Sequence, residues 1–171
     1  MEFNISNTSV ADQIESCFDE FHKIKNIIDG LGAMSHPVPY LTRYSIVRAC
    51  GTIEFGFKTI ISDINSNGQS SQIKQFIDKK FRNSSMNPSF SNICKSLAEF
   101  DSTWQQRFKE SINGLEYKNR ILSSLESLNE ARNSFAHGGA PSTSFASLEN
   151  YFKDCIIILE CIEKTLSPLD Q

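Results

Sequence analysis

Residues 119–139 read NRILSSLESLNEARNSFAHGG. Apolar side chains recur here at helical spacing, with Ile121, Leu125, Leu128 and Phe135 on one stripe. That period marks a helix with one buried face. Gly138 and Gly139 stand where a helix would stop, since glycine accepts the left-handed turn that closes one. A helix is therefore expected over Asn119–Ala136. Two residues break its simple logic. Arg132 falls inside the apolar stripe, and a cation on a buried face costs free energy unless an anion or a subunit boundary meets it. His137 stands at the helix end, where a cation is favoured by the helix dipole, and such a cap alone would explain a histidine there. On an ideal helix Arg132 and His137 are about 140° apart. One chain does not obviously bring them together, whereas two chains crossing near a two-fold axis would.

The same period governs most of the chain to either side, and few segments alternate with a period of two. The expected fold is all-α. A first helix is expected from Ser9 to Asp29, buried through Ile14, Cys17, Phe18, Phe21, Ile24 and Ile28 and ended by Gly30 and Gly32. The linker 33–39 holds His36 between Ser35 and Pro37, and its two prolines keep it extended. A long helix from Tyr40 to Ile64 follows. Its main stripe is Ile46, Cys50, Ile53, Phe57, Ile60, Ile61 and Ile64, while Tyr44 and Phe55 lie on the far side with Arg48 between them. A helix apolar on two sides is central in its bundle or meets another subunit.

Shorter elements are expected next: a helix over Ser71–Phe81, one capped by Asn87 with Pro88 at its first position, and one opened by a Ser102–Gln105 capping box and running to Ile112. They read as a helical insertion over about residues 70–112 in a single domain spanning 1–171. A last helix over Phe145–Leu166, capped by Ser144 and stopped by Pro168, completes the chain.

Bulk composition narrows the function. The chain has 171 residues, net charge −3 and 13 phenylalanines. The length suits one domain with a real core. A chain without surplus cations cannot neutralise many phosphates, so a bulk polyanion binder is excluded, whereas a local cationic cleft for a few nucleotides is not. Five cysteines, Cys17, Cys50, Cys94, Cys155 and Cys161, show no CxxC spacing and sit among apolar neighbours, as reduced core thiols do. Three histidines without paired ligand spacing give no expectation of a metal, and no cofactor is implied. The chain opens without a basic, apolar leader and holds no membrane-length apolar run, so a cytoplasmic protein is expected.

The hexapeptide Arg132-Asn133-Ser134-Phe135-Ala136-His137 resembles the Arg-x4–6-His motif of HEPN domains, in which Asn, Asp or His commonly follows the arginine. The segment Arg48-Ala49-Cys50-Gly51-Thr52-Ile53-Glu54-Phe55 looks like the second helix of the RiboL-PSP-like HEPN subgroup, which often carries a glutamate there. The resemblance implies an antiparallel helical bundle with the motif late in the chain, before a final helix. It also implies metal-independent RNA cleavage by a homodimer, with two copies of Arg132, Asn133 and His137 forming one composite site. Glu54 is a supporting residue at most, either holding Arg132 in place or simply pairing with it. Arg43 and Arg48 would either extend a phosphate-binding surface or be solvated or at an interface. His36 and His22 suit the surface, and Tyr44, Phe55 and Trp104 suit packing. Such ribonucleases act as toxins or antiphage effectors under a control partner, often an antitoxin. The alternative implied by the same family is a non-catalytic module for dimerisation, nucleotide binding or partner binding.

Overall fold

The structure is a computed structural model and describes residues 3–139 and 142–167. The described residues form seven α-helices and no strands. Helix α1 spans Thr8–Leu31, α2 Val38–Ser66, α3 Ser71–Ile77, α4 Phe90–Phe100, α5 Ser102–Asn113, α6 Lys118–Ala136 and α7 Phe145–Leu166. The all-α expectation holds, and the differences lie at the ends of elements and in the linker before α2. There residues 33–37 turn instead of running extended: Pro37 is helical at φ −72° and ψ −22°, and the Val38 N–H donates to the Ser35 carbonyl at 3.0 Å.

Helix α1 runs through Gly30 and stops at Gly32, whose φ of 84° is the conformation that suits glycine. Helix α2 starts at Val38, two residues before the expected Tyr40, because proline is tolerated where no intrahelical N–H bond is required. Helix α3 is shorter than expected. Its continuation, Asp78–Arg82, widens into a π turn, with the Asn83 N–H donating to the Asp78 carbonyl at 2.9 Å.

Two expected caps are corrected. Helix α4 is capped by Ser89, whose hydroxyl accepts from the Asn92 N–H at 3.2 Å, and not by Asn87. The Asn87 carbonyl accepts instead from the Asn92 side-chain amide. Helix α5 is capped by Asp101 and not by a Ser102 box. The Asp101 carboxylate accepts from both the N–H and the hydroxyl of Thr103, at 2.7 and 2.8 Å, and an ionised acceptor outcompetes a hydroxyl. Gln105, the other half of the expected box, donates to the Cys94 carbonyl. Ser144 caps α7 as its position suggests. Pro168, expected to stop α7, lies outside the described residues, as do Ala140 and Pro141 of the preceding loop.

The long helices pack antiparallel. Arg48 and Glu20 pair at 2.9 Å midway along the α1–α2 contact, while Asn7 reaches Asp63 at one end of it. Along α6 and α7, Arg120 and Ser124 both meet Asp154, at 3.0 and 2.7 Å. Helices α1 and α7 interlock through edge-on rings, Phe18 on Phe152 and Phe21 on Phe145. Gly56 lets α2 approach α7, because a Cβ there would stand 2.6 Å from Leu159. All five cysteines are free and buried. Burial pushes the thiols of Cys17 and Cys50 up to about 12. No helix among the described residues is long and apolar enough to cross a membrane.

Candidate functional site

The site grows from the end of α6. Ccap His137 donates its N–H to the Asn133 carbonyl at 3.1 Å. Gly138 follows with φ 81° and donates to Phe135, and Gly139 donates to Ser134 at 2.8 Å. This pair of bonds is the Schellman closure, which needs a left-handed residue after the cap. Gly139 is fixed by space as well, since a Cβ there would meet the Ser134 hydroxyl at 2.5 Å and its carbonyl at 2.9 Å. The two glycines thus set the place of the histidine and turn the chain away from it.

Arg132 is half-buried, and its guanidinium donates to the Asn133 side-chain carbonyl at 3.2 Å. Among the described residues no carboxylate lies within ion-pair range of it, so donors remain for an external anion. The suggested pairing with Glu54 does not form. Glu54 accepts from Lys58 at 2.5 Å and from the Met86 N–H at 3.3 Å. Lys58 also donates to the Ser84 carbonyl. Glu54 therefore anchors the segment after the π turn on α2. Arg132 and Glu54 still share a neighbourhood around Cys50. Burial dominates the rise of that thiol, the arginine opposes it and the glutamate adds to it. The Cys50 thiol donates to the Leu128 carbonyl at 3.4 Å, so α2 lies directly along the motif helix.

Phe135 departs from expectation. It belongs to the apolar stripe by spacing but is 38% exposed. The α6 stripe runs off the core at its last turn, and Arg43 from α2 covers the ring, 5.9 Å from its centroid. Arg43 also lies 5.7 Å from the Tyr40 ring. Arg48 is occupied differently, by Glu20, Thr52 and Ser16, which makes it a clamp between α1 and α2. His137 is exposed, and its side chain makes no hydrogen bond to Arg132 or Asn133 among the described residues. One chain thus brings Arg132 and Asn133 together and leaves His137 beside them, facing outward. His36 and His22 are exposed. Trp104 packs on the core. Among the described residues no three His, Cys, Asp or Glu side chains converge as a metal cage.

Two features escaped sequence inspection. Asn129, one turn before Arg132 and Asn133, is buried and donates to the Pro88 carbonyl at 3.2 Å, while its own Oδ1 has no partner. It pins the approach to α4 on the motif helix. The cover of Arg43 on Phe135 joins residues 92 apart by number, a contact that only the α2–α6 packing creates.

A family model described as RiboL-PSP-HEPN matches residues 12–168. The chain belongs to the RiboL-PSP-HEPN family. Comparison with curated proteins and with solved structures gives no match. In this HEPN chain the match covers all but the first turn of α1, the whole of α2 with Glu54, the whole of α6 with Arg132, Asn133 and His137, and the whole of α7.

Proposed function

We propose that this HEPN chain is an endoribonuclease that works as a homodimer, with Arg132, Asn133 and His137 of both copies around one composite site. The observation that carries the proposal is Arg132: half-buried, braced by Asn133, and without a carboxylate partner among the described residues. A guanidinium kept in that state is poised for a phosphate. The outward face of α2 supports the dimer. Tyr44 is 53% exposed, Val47 45% and Phe55 40%, and they share one face of α2 by helical spacing, with the Tyr44 hydroxyl donating to Glu20 of α1. An apolar stripe of that kind suits a partner surface.

The chemistry follows from the residue types. The RNA 2′-oxygen attacks the adjacent phosphorus, forming the 2′-O–P bond as the P–O5′ bond breaks. One histidine accepts the 2′-hydroxyl proton, and the second copy's histidine protonates the departing 5′-oxygen. Arg132 holds the phosphate oxygens as negative charge builds on them. The products are a 2′,3′-cyclic phosphate and a 5′-hydroxyl. No step calls for a metal ion, and DNA lacks the nucleophile. A toxin or antiphage role under a controlling protein, such as an antitoxin, belongs to the same proposal, with the cytoplasm as its site of action.

The test is cleavage of mixed cellular RNA in EDTA. Wild-type protein is expected to cut. His137→Ala should lose about 10²- to 10⁴-fold in rate, the usual worth of a positioned acid or base. Arg132→Ala should lose about 10²- to 10³-fold. Folded, dimeric wild-type protein that leaves RNA intact would move the assignment to a non-catalytic HEPN module.

A further inference from the structure

Beside the proposed cleavage site lies a cleft of 650 Å³, between the end of α1, the first turns of α2 and the start of α7. Ile28, Val38, Pro39 and Phe145 give it apolar walls. Four charged side chains also line it, and two of them have no ion pair among the described residues. Arg43 is the residue that covers Phe135, two positions before His137, and it has no carboxylate partner among the described residues. Glu149 is half-buried and likewise makes no hydrogen bond or ion pair among them. The other two charges lining the cleft pair with each other, Lys25 holding Asp29 at 2.5 Å, and Lys25 also lies within electrostatic reach of Glu149.

We propose that this cleft receives the base of a nucleotide flanking the cut bond, and that the base is guanine. The proposal rests on the ribonuclease assignment and adds a sequence preference to it. A flat ring fits between apolar walls with a few polar groups at the rim. A carboxylate accepts two parallel hydrogen bonds from the adjacent N1–H and N2–H donors of guanine. Adenine and cytosine each offer one amino donor beside an acceptor, and uracil offers one N–H between two acceptors. Arg43, on the side toward the motif, takes the phosphate of the same nucleotide. A larger cleft, 740 Å³ between α5 and α7, is unsuited to this role. Glu110, Glu160 and Glu163 line it against the single cation Lys164, a balance that disfavours a phosphate, and Glu160 and Glu163 already accept N–H bonds from residues 4, 6 and 7.

Binding can be read without cutting. His137→Ala protein is titrated with the four nucleoside 5′-monophosphates and with pentaribonucleotides carrying one guanine or none, followed by amide chemical shifts. Guanosine monophosphate and the guanine pentamer should bind at least about tenfold tighter than their counterparts, the discrimination of one bidentate pair. Their shifts should centre on Ala33, Thr42 and Phe145. Adding Glu149→Gln should erase the preference, and Ala146→Trp at the cleft mouth should block binding. Equal binding of all four bases, or a preference that survives Glu149→Gln, overturns the proposal. So does a mononucleotide preference that the pentamers do not share, since the cleft would then serve a free nucleotide. Wild-type protein that cuts RNA without any guanine preference in binding leaves the nuclease standing and removes this cleft from it. Guanine binding here by protein that cuts nothing removes the nuclease instead.

Discussion

His137 owes its position to Gly138. At φ 81° a side chain costs about 1–2 kcal/mol, although open space surrounds the missing Cβ. Gly138→Ala should therefore lower the melting temperature by about 2–8 °C for a chain of this size, measured by circular dichroism. An unchanged melting temperature would mean that the Schellman closure does not hold the histidine. Glu20 illustrates a second kind of residue-scale control. Burial alone would raise its carboxyl, but hydrogen bonds from Tyr44 and Arg48 outweigh burial and hold it below its ordinary 4.5. Its contribution to stability is thus fully present above that value and is lost as pH falls through the lowered one. The same hydrogen bond raises the Tyr44 phenol above 10.0, so that contribution is present below pH 10 and fades as pH rises through the raised value. Thermal melts from pH 6 to pH 3 should show wild type losing stability more steeply than Glu20→Gln, and parallel curves would contradict the clamp.

Among the elements, the long helices were legible because their apolar spacing persists over many turns. Helices α1, α2, α6 and α7 fall within two residues of their expected ends at all termini. The short elements were less legible, since competing capping groups stand one residue apart. Ser89 wins over Asn87 and Asp101 over Ser102 through hydrogen bonds that spacing alone does not rank. The π turn at Asp78–Arg82 carries no sequence signal beyond the helical pattern leading into it. The motif itself was legible as a string, with Arg132, Asn133 and His137 all on α6 or at its cap. What spacing could not give was the company each keeps. Arg132 turned out to be braced by its neighbour and not by Glu54, because Lys58 on the next turn of α2 claims that carboxylate. Phe135 was misplaced for a related reason: α6 reaches past the core, so its last apolar position meets Arg43 instead of other apolar side chains.

For the whole molecule, the proposed activity depends on two copies meeting along α2 beside α6. Val47, 45% exposed at the middle of that face, is the natural place to test it. Val47→Glu would set two like charges close together across a two-fold axis, so the variant should sediment as a monomer at concentrations where wild type is a dimer. It should also lose at least about tenfold in RNA cleavage. A variant that stays dimeric and active would place the contact on another face. In the proposed reaction the 2′-hydroxyl of RNA is the nucleophile and His137 moves its proton. The most direct measurement is therefore cleavage of one defined oligoribonucleotide in EDTA by wild type and His137→Ala, with fragment ends mapped by mass and with a single 2′-deoxy substitution at the cut nucleotide. Wild type should leave 2′,3′-cyclic phosphate and 5′-hydroxyl ends and make no cut at the deoxy position, and His137→Ala should cut about 10²- to 10⁴-fold more slowly. Ends bearing 5′-phosphate, or undiminished cutting by His137→Ala, would contradict the proposed reaction.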